Sequence, residues 1–348
     1  MKDIQSLVRP NIRKLCPYST ARDEFSGTLG VFLDANESPY QTGWNRYPDP
    51  RQKVLKQRIS EIKGVRPECI FLGNGSDEAI DLVFRIFCEP GKDNVVCISP
   101  SYGMYAVSAD INDIELREVR LGENFSLPTE ALLSCCDAHT KAMFLCSPNN
   151  PSGNAFPNAA IEEILMRFNG MVIVDEAYID FCSVPSLTAK IDSYPNLIIL
   201  QTMSKARGLA ALRLGMAFTQ PYTATLMSMV KYPYNINAST QSIALDMLSR
   251  DISGEVREIV SERKRVASEL TKFSCVKKIY PSEANFILAE VDDADRLYGH
   301  FIADGIIVRN RTNAPMCRNC LRVTIGLREE NDSMLKSLSR YEESYIRG

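Results

Sequence analysis

Between residues 50 and 220 the chain alternates two textures: apolar positions spaced three and four apart, and short unbroken apolar runs. In residues 52–64, QKVLKQRISEIKG, apolar residues at 54, 55, 59 and 62 form one helical stripe that Gly64 closes. Residues 77–91, DEAIDLVFRIFCEPG, predict a second helix, stopped by Pro90 and Gly91. Five apolar runs follow, at 94–99, 141–147, 170–177, 196–202 and 212–218. Runs this short and this apolar suit strands covered on both faces, as in a parallel sheet. Strands alternating with helices build a doubly wound α/β layer. After about residue 250 the texture changes. Residues 254–273 form a long amphipathic helix with Val256, Ile259, Val260, Val266 and Leu270 on one stripe. Short strands at 284–291, 305–310 and 320–326 and a polar closing helix then predict a smaller α+β domain, bounded near 245–255.

Composition adds exclusions. With 348 residues, two domains are expected. A net charge of −3 with mixed signs gives no basic footprint for nucleic acid. No apolar stretch reaches the ~18–20 residues needed to cross a bilayer. The start, MKDIQSLVRPNIRKL, breaks every apolar pair with a polar group and is unlike a secretory signal, so the cytoplasm is the expected compartment. Eleven scattered cysteines read as reduced thiols rather than a disulfide framework. Cys317 and Cys320 form a C-x-x-C, but with only His139 and His300 in the chain no metal is expected.

Ser147, Asp175 and Thr202 fall where strands are predicted to end, and ligands of open α/β sheets sit at those ends. Asp175 follows four apolar residues, where an unpaired carboxylate is costly; a protonated pyridine nitrogen would offset that cost. Lys205 lies three residues past the 196–202 run. Apolar surroundings and nearby Arg213 would lower its amine from ~10.4 toward the range useful for base work. A Schiff-base lysine and a buried carboxylate together suggest pyridoxal phosphate. Tyr178 and Asn150 could donate to the ring's phenolic oxygen, and Tyr102 offers a face for stacking. For the phosphate, the turn before residue 77 feeds a helix with Ser76 as its expected N-cap. Asp77 and Glu78 already complement that helix dipole, so an ordinary capped helix is the competing reading. Thr202, Ser204 and Arg213 could add side-chain donors. Singly, each of these residues has an ordinary structural explanation; the set is what points to a cofactor.

The segments SPNNPSG, VDEAY and TMSKARGLAALRLG, in this order and spacing, resemble the fold-type I pyridoxal-phosphate aminotransferases. CPYSTAR, LDANESPY, RYPDP, PSYGMYAVSA, GIIVRN and CLRVTIGLREE are similar to segments of the histidinol-phosphate aminotransferases among them, over about residues 10–335. The resemblance implies an α/β fold-type I architecture: an arm at 1–40 contributing to the small domain, a large cofactor domain at 41–250 with a mostly parallel sheet between helices, and a small domain at 251–348. It implies Lys205 as the cofactor lysine, Asp175 as pyridinium partner, Tyr178 and Asn150 at the phenolic oxygen and Tyr102 on the ring. The phosphate would take Ser76, Asp77, Thr202, Ser204 and Arg213, with Tyr47 reaching the neighbouring subunit's cofactor in a homodimer. Tyr18, Arg309 and Arg322 would bind the substrate phosphate, Arg322 also the glutamate carboxylate. The implied reaction passes an amino group between L-glutamate and imidazole acetol phosphate, giving L-histidinol phosphate and 2-oxoglutarate. A decarboxylase of a phosphorylated amino acid and a broader aromatic aminotransferase are the alternatives. Gln201 departs from the arginine common in relatives.

Overall fold

In the computed structural model, which describes residues 3–18 and 30–347, all five apolar runs become strands of one seven-stranded sheet. Its strands are β1 (Ile70–Asn74), β2 (Asn94–Ser99), β3 (Glu115–Arg120), β4 (Thr140–Cys146), β5 (Met171–Asp175), β6 (Leu197–Thr202) and β7 (Leu214–Thr219). They run in the order β1-β7-β6-β5-β4-β2-β3. Alternate residues point to opposite faces, and both faces are covered. Val96, Met143, Val172 and Ile199 enter one core; Val95, Phe144, Ile173 and Ile198 enter the other. That double burial is why the sequence shows continuous apolar runs and no alternation.

Two strands of this sheet were not predicted from the sequence. β3 is an edge strand of partly exposed, charged residues, and β1 is short and ends in Gly73 and Asn74. The run at 212–218 also differs from expectation, because β7 lies antiparallel to both β6 and β1. Residues 203–213 hold only the single turn Ala210–Leu212, too little for the crossover a parallel return needs. Because β7 reverses, β1 runs parallel to β6. The carboxyl ends of β1, β2, β4, β5 and β6 and the entry into β7 therefore share one edge of the sheet.

A second sheet has the order β10-β11-β9-β8, all antiparallel: β8 (Val276–Ile279), β9 (Phe286–Val291), β10 (Arg309–Asn310) and β11 (Cys320–Thr324). β8 was not predicted, and of residues 305–310 only the last two are strand. The helices Ser253–Leu270, Ala294–Ala303 and Arg328–Arg347 accompany this sheet, with Val266, Leu270, Leu297, Phe301 and Met334 packed on Ile287, Leu321 and Val323. Residues 19–22 of the CPYSTAR segment, and 19–29 of the arm, lie outside the described residues. No described helix is long and apolar enough to cross a membrane.

Candidate active site

The shared strand edge and the β10–β11 ribbon enclose a cavity of about 570 Å³. Its floor is Asp175, the last residue of β5, only 3% exposed. The Tyr105 hydroxyl donates to Asp175 Oδ2 at 2.8 Å, and the Ala177 amide donates to Oδ1 at 3.0 Å. Burial outweighs both bonds and pushes the carboxyl up to about 6. A buried anion held this way calls for a cationic partner. Tyr105 was not singled out in the sequence; its signal was a second tyrosine three residues after Tyr102, a spacing that only a helix turns toward β5.

Lys205 follows β6 and reaches the same cavity, its Nζ 5.7 Å from the Tyr178 ring centre. Its pKa is lowered, first by burial and next by the Arg322 guanidinium, with Asp175 opposing. Arg213 lowers it too, as the sequence suggested, but less than Arg322 does. Tyr178 is buried against the edge of Phe286, and burial pushes its phenol well above the usual range, so it remains a donor.

The turn expected to cradle a phosphate differs from expectation at one residue. Gly75, not Ser76, occupies the N-cap position, with φ +72°, and Ser76 is the first residue of the helix Ser76–Phe87. No side chain caps that end, which leaves its amides free for an anion. The two acidic residues are engaged elsewhere: Asp77 accepts from the Tyr102 hydroxyl at 3.0 Å and from Arg213 at 3.3 Å. Glu78 accepts from the Asn74 amide and from the Asn235 side chain. Arg213 takes a left-handed φ of 53° just before β7, and its carbonyl accepts from the Gly75 amide at 2.6 Å. Thr202 Oγ1 and Ser204 lie beside it, linked at 3.0 Å.

Gly215 permits this packing. A Cβ there would lie 2.1 Å from the Ser76 amide nitrogen and 2.2 Å from the Gly75 carbonyl carbon. Gly215→Ala is therefore expected to push the helix start off β7 and weaken cofactor phosphate binding at least tenfold, measured as the apparent Kd for pyridoxal phosphate. Unchanged affinity would refute a phosphate seat at this turn.

Across the cavity stand three arginines. Arg309 and Arg322 are cross-strand partners in β10 and β11, so they emerge on one face. Arg322 Nη1 donates to Asn150 Oδ1 at 2.5 Å, tying the ribbon to the loop after β4. Arg311 also lines the cavity and was missed; its signal was the alternation Arg309-Asn310-Arg311. Tyr18 and Tyr47 do not join the site within this chain. Tyr18 is 72% exposed beside Pro17 and Arg51, and Tyr47 is 50% exposed and stacks on Tyr234 at 4.5 Å. Gln201 lies behind the site, donating to buried Glu176 at 2.9 Å.

The family pattern for aminotransferase class I and II matches residues 24–338. The histidinol-phosphate aminotransferase of Bacteroides thetaiotaomicron is 54% identical over 345 residues, covering 98% of this chain and 100% of that one. The chain belongs to the histidinol-phosphate aminotransferase family. The Parabacteroides distasonis member is 53% identical, covering 97% of this chain and 99% of its own. Among solved structures, the aminotransferase of this family from Clostridium acetobutylicum superposes with a TM-score of 0.80 at 26% identity, covering 87% of this chain and 92% of that one. The Sinorhizobium meliloti enzyme, solved with pyridoxal-5'-phosphate, has the same fold, with a TM-score of 0.78 at 22% identity over 86% and 84% of the two chains. The fold is thus the fold-type I aminotransferase fold.

Proposed function

We propose that this aminotransferase transfers an amino group between L-glutamate and imidazole acetol phosphate, giving L-histidinol phosphate and 2-oxoglutarate, with pyridoxal phosphate held in the cavity. The observation that carries this reading is the placement of Lys205 and buried Asp175 opposite a pair of cross-strand arginines. The residues fit the cofactor: an uncapped helix start beside Arg213 suits its phosphate, and a buried carboxyl suits a protonated ring nitrogen. When bound, pyridoxal phosphate supplies an aldehyde that takes the amino group and a ring that withdraws electrons from the substrate α-carbon.

The protein supplies the rest. Lys205, with its lowered pKa, moves the proton off the substrate α-carbon through Nζ. Asp175 holds the positive charge on which that electron withdrawal depends. Tyr178 and Asn150 would hold the phenolic oxygen, Tyr102 would flank the ring, and Ser76, Asp77, Thr202, Ser204 and Arg213 would seat the phosphate. Arg309 and Arg322 bind the distal anion, since guanidinium forks fit carboxylate and phosphate alike.

The same reading makes the working unit a cytoplasmic homodimer, with residues 41–250 as the large domain, 251–348 as the small one and the 1–40 arm joining it. The exposure of Val31, Leu33 and Tyr40 along the arm, and of Trp44 and Tyr47 just beyond it, supports this, because so many large exposed apolar side chains call for a cover. Tyr47 would then reach the partner's cofactor phosphate, and Tyr18 a substrate phosphate.

The deciding assay pairs purified protein with L-histidinol phosphate and 2-oxoglutarate. Glutamate should form, with little from tyrosine or phenylalanine; carbon dioxide released from threonine phosphate would point instead to a decarboxylase. Arg322→Ala is expected to raise the apparent KM for both substrates roughly 10–100-fold, the loss of one charge-assisted hydrogen-bonding group. A rise confined to one substrate would show that the two anions do not share Arg322.

A further inference from the structure

Three buried side-chain polar atoms that lack a protein partner among the described residues cluster at the β10–β11 ribbon: Arg311 Nε, Thr312 Oγ1 and Arg322 Nε. The Arg311 amide donates to the Cys320 carbonyl at 2.8 Å, extending the β10–β11 ladder by one residue. Strand alternation then sets Arg311 on the face of Arg309, across from Cys320 and beside Arg322. All three arginines line the cavity. None of them forms an ion pair with a carboxylate among the described residues, whereas Arg117, Arg167 and Arg265 do. An arginine with a buried, unpaired Nε and no counter-anion is a donor set awaiting an acceptor.

We propose that Arg311 is a specificity-determining anion ligand, giving the site a third guanidinium that favours a phosphate monoester over a carboxylate. The proposal rests on the reading above in that one substrate carries a phosphate. A carboxylate brings one negative charge, whereas a phosphate monoester brings about 1.5–2 at pH 7 and three acceptor oxygens. Arg309 and Arg322 suffice for the first. Arg322 already gives one N–H to Asn150, and the higher charge of a phosphate monoester gains more from a third guanidinium than a single carboxylate charge does. Arg311 supplies that guanidinium two residues from Arg309, and the glutamate half of the reaction does not require it.

The competing role for Arg311 is structural. Cys317 is buried close by, and its thiol is held low by Cys320 first and by Arg311 second. The test therefore includes Cys317. Holoenzyme, with the cofactor seat filled, is titrated by calorimetry with inorganic phosphate and separately with acetate, for wild type, Arg311→Gln and Cys317→Ser. Arg311→Gln should weaken phosphate by about tenfold or more, the scale of one charge-assisted contact, and acetate by less than about threefold. Cys317→Ser should leave both unchanged. In steady state Arg311→Gln should raise KM for L-histidinol phosphate and leave that for glutamate. Equal loss for both anions, no loss for either, or the same phosphate-selective loss in Cys317→Ser would overturn the assignment. If Arg311→Gln does not fold, Arg311→Lys, which keeps the charge and loses the fork, carries the same comparison. Should wild type fail to transaminate L-histidinol phosphate, the proposed reaction falls, while the phosphate titration still decides the role of Arg311.

Discussion

Lys205→Ala is expected to lower turnover by about 10⁴-fold or more, the upper range for loss of a positioned acid–base group. The variant should also lack the visible absorbance of the lysine-bound cofactor, while pyridoxal phosphate still binds through the helix start and Arg213. The physical basis is the position of Nζ. It stands in a cavity whose walls and whose neighbour Arg322 lower its pKa, which eases loss of the ammonium proton at the position where the α-proton would leave. No other lysine lines the cavity, so none can stand in among the described residues. The measurements are glutamate formation in a coupled assay and a spectrum between 350 and 450 nm, roughly the range of such chromophores. Wild-type rates in the variant would end the catalytic role.

The second large effect is at Asp175. Asp175→Asn removes the buried carboxylate on the cavity floor and is expected to lower turnover by roughly 10²–10³-fold, as when one preorganised electrostatic contact is lost. The same substitution has a signature in stability that needs no turnover. In the cofactor-free protein the folded Asp175 titrates near 6, against 3.8 for an unperturbed carboxyl. The fold therefore binds the proton more tightly than the unfolded chain does. Below about pH 4 both states are protonated and Asp175 carries no penalty. As pH rises from 4 through 6 the folded state must ionise a buried group, and stability falls by roughly 3 kcal/mol. Asparagine does not ionise, so the stability difference between variant and wild type should move by about that amount in the variant's favour between pH 4 and 8. Urea denaturation of the cofactor-free proteins at several pH values measures it; parallel pH profiles would show that the carboxyl is not strained by burial.

Legibility in the sequence followed the range of the interactions. The residues of the strand ends were visible because burial on both faces writes an unbroken apolar run, and such a run stops at a polar residue. Asp175 is the stop of one run, Gln201 and Thr202 close the next, and Lys205 lies just beyond them. Gly215 and Tyr105 were invisible for the opposite reason. Gly215 is small because the Ser76 amide approaches from a helix far away in the chain, and Tyr105 matters because its hydroxyl meets a strand that begins at Met171. Neither partner lies within the window over which periodicity operates. The misplaced N-cap at Ser76 has the same origin: serine has the usual capping chemistry, but the left-handed turn beside Arg213 needs glycine at the cap.

By itself, then, the sequence determined the layered α/β class and the run of covered strands, and it singled out Lys205 and Asp175 as the candidate pair, because solvent exclusion acts residue by residue and leaves a local pattern. Only the tertiary structure decided that β7 turns back on β6, and that Arg309, Arg311 and Arg322 are carried by a separate sheet to the mouth of the same cavity as Lys205. Those outcomes depend on which surfaces pack together, and packing joins residues whose separation along the chain carries no periodic trace.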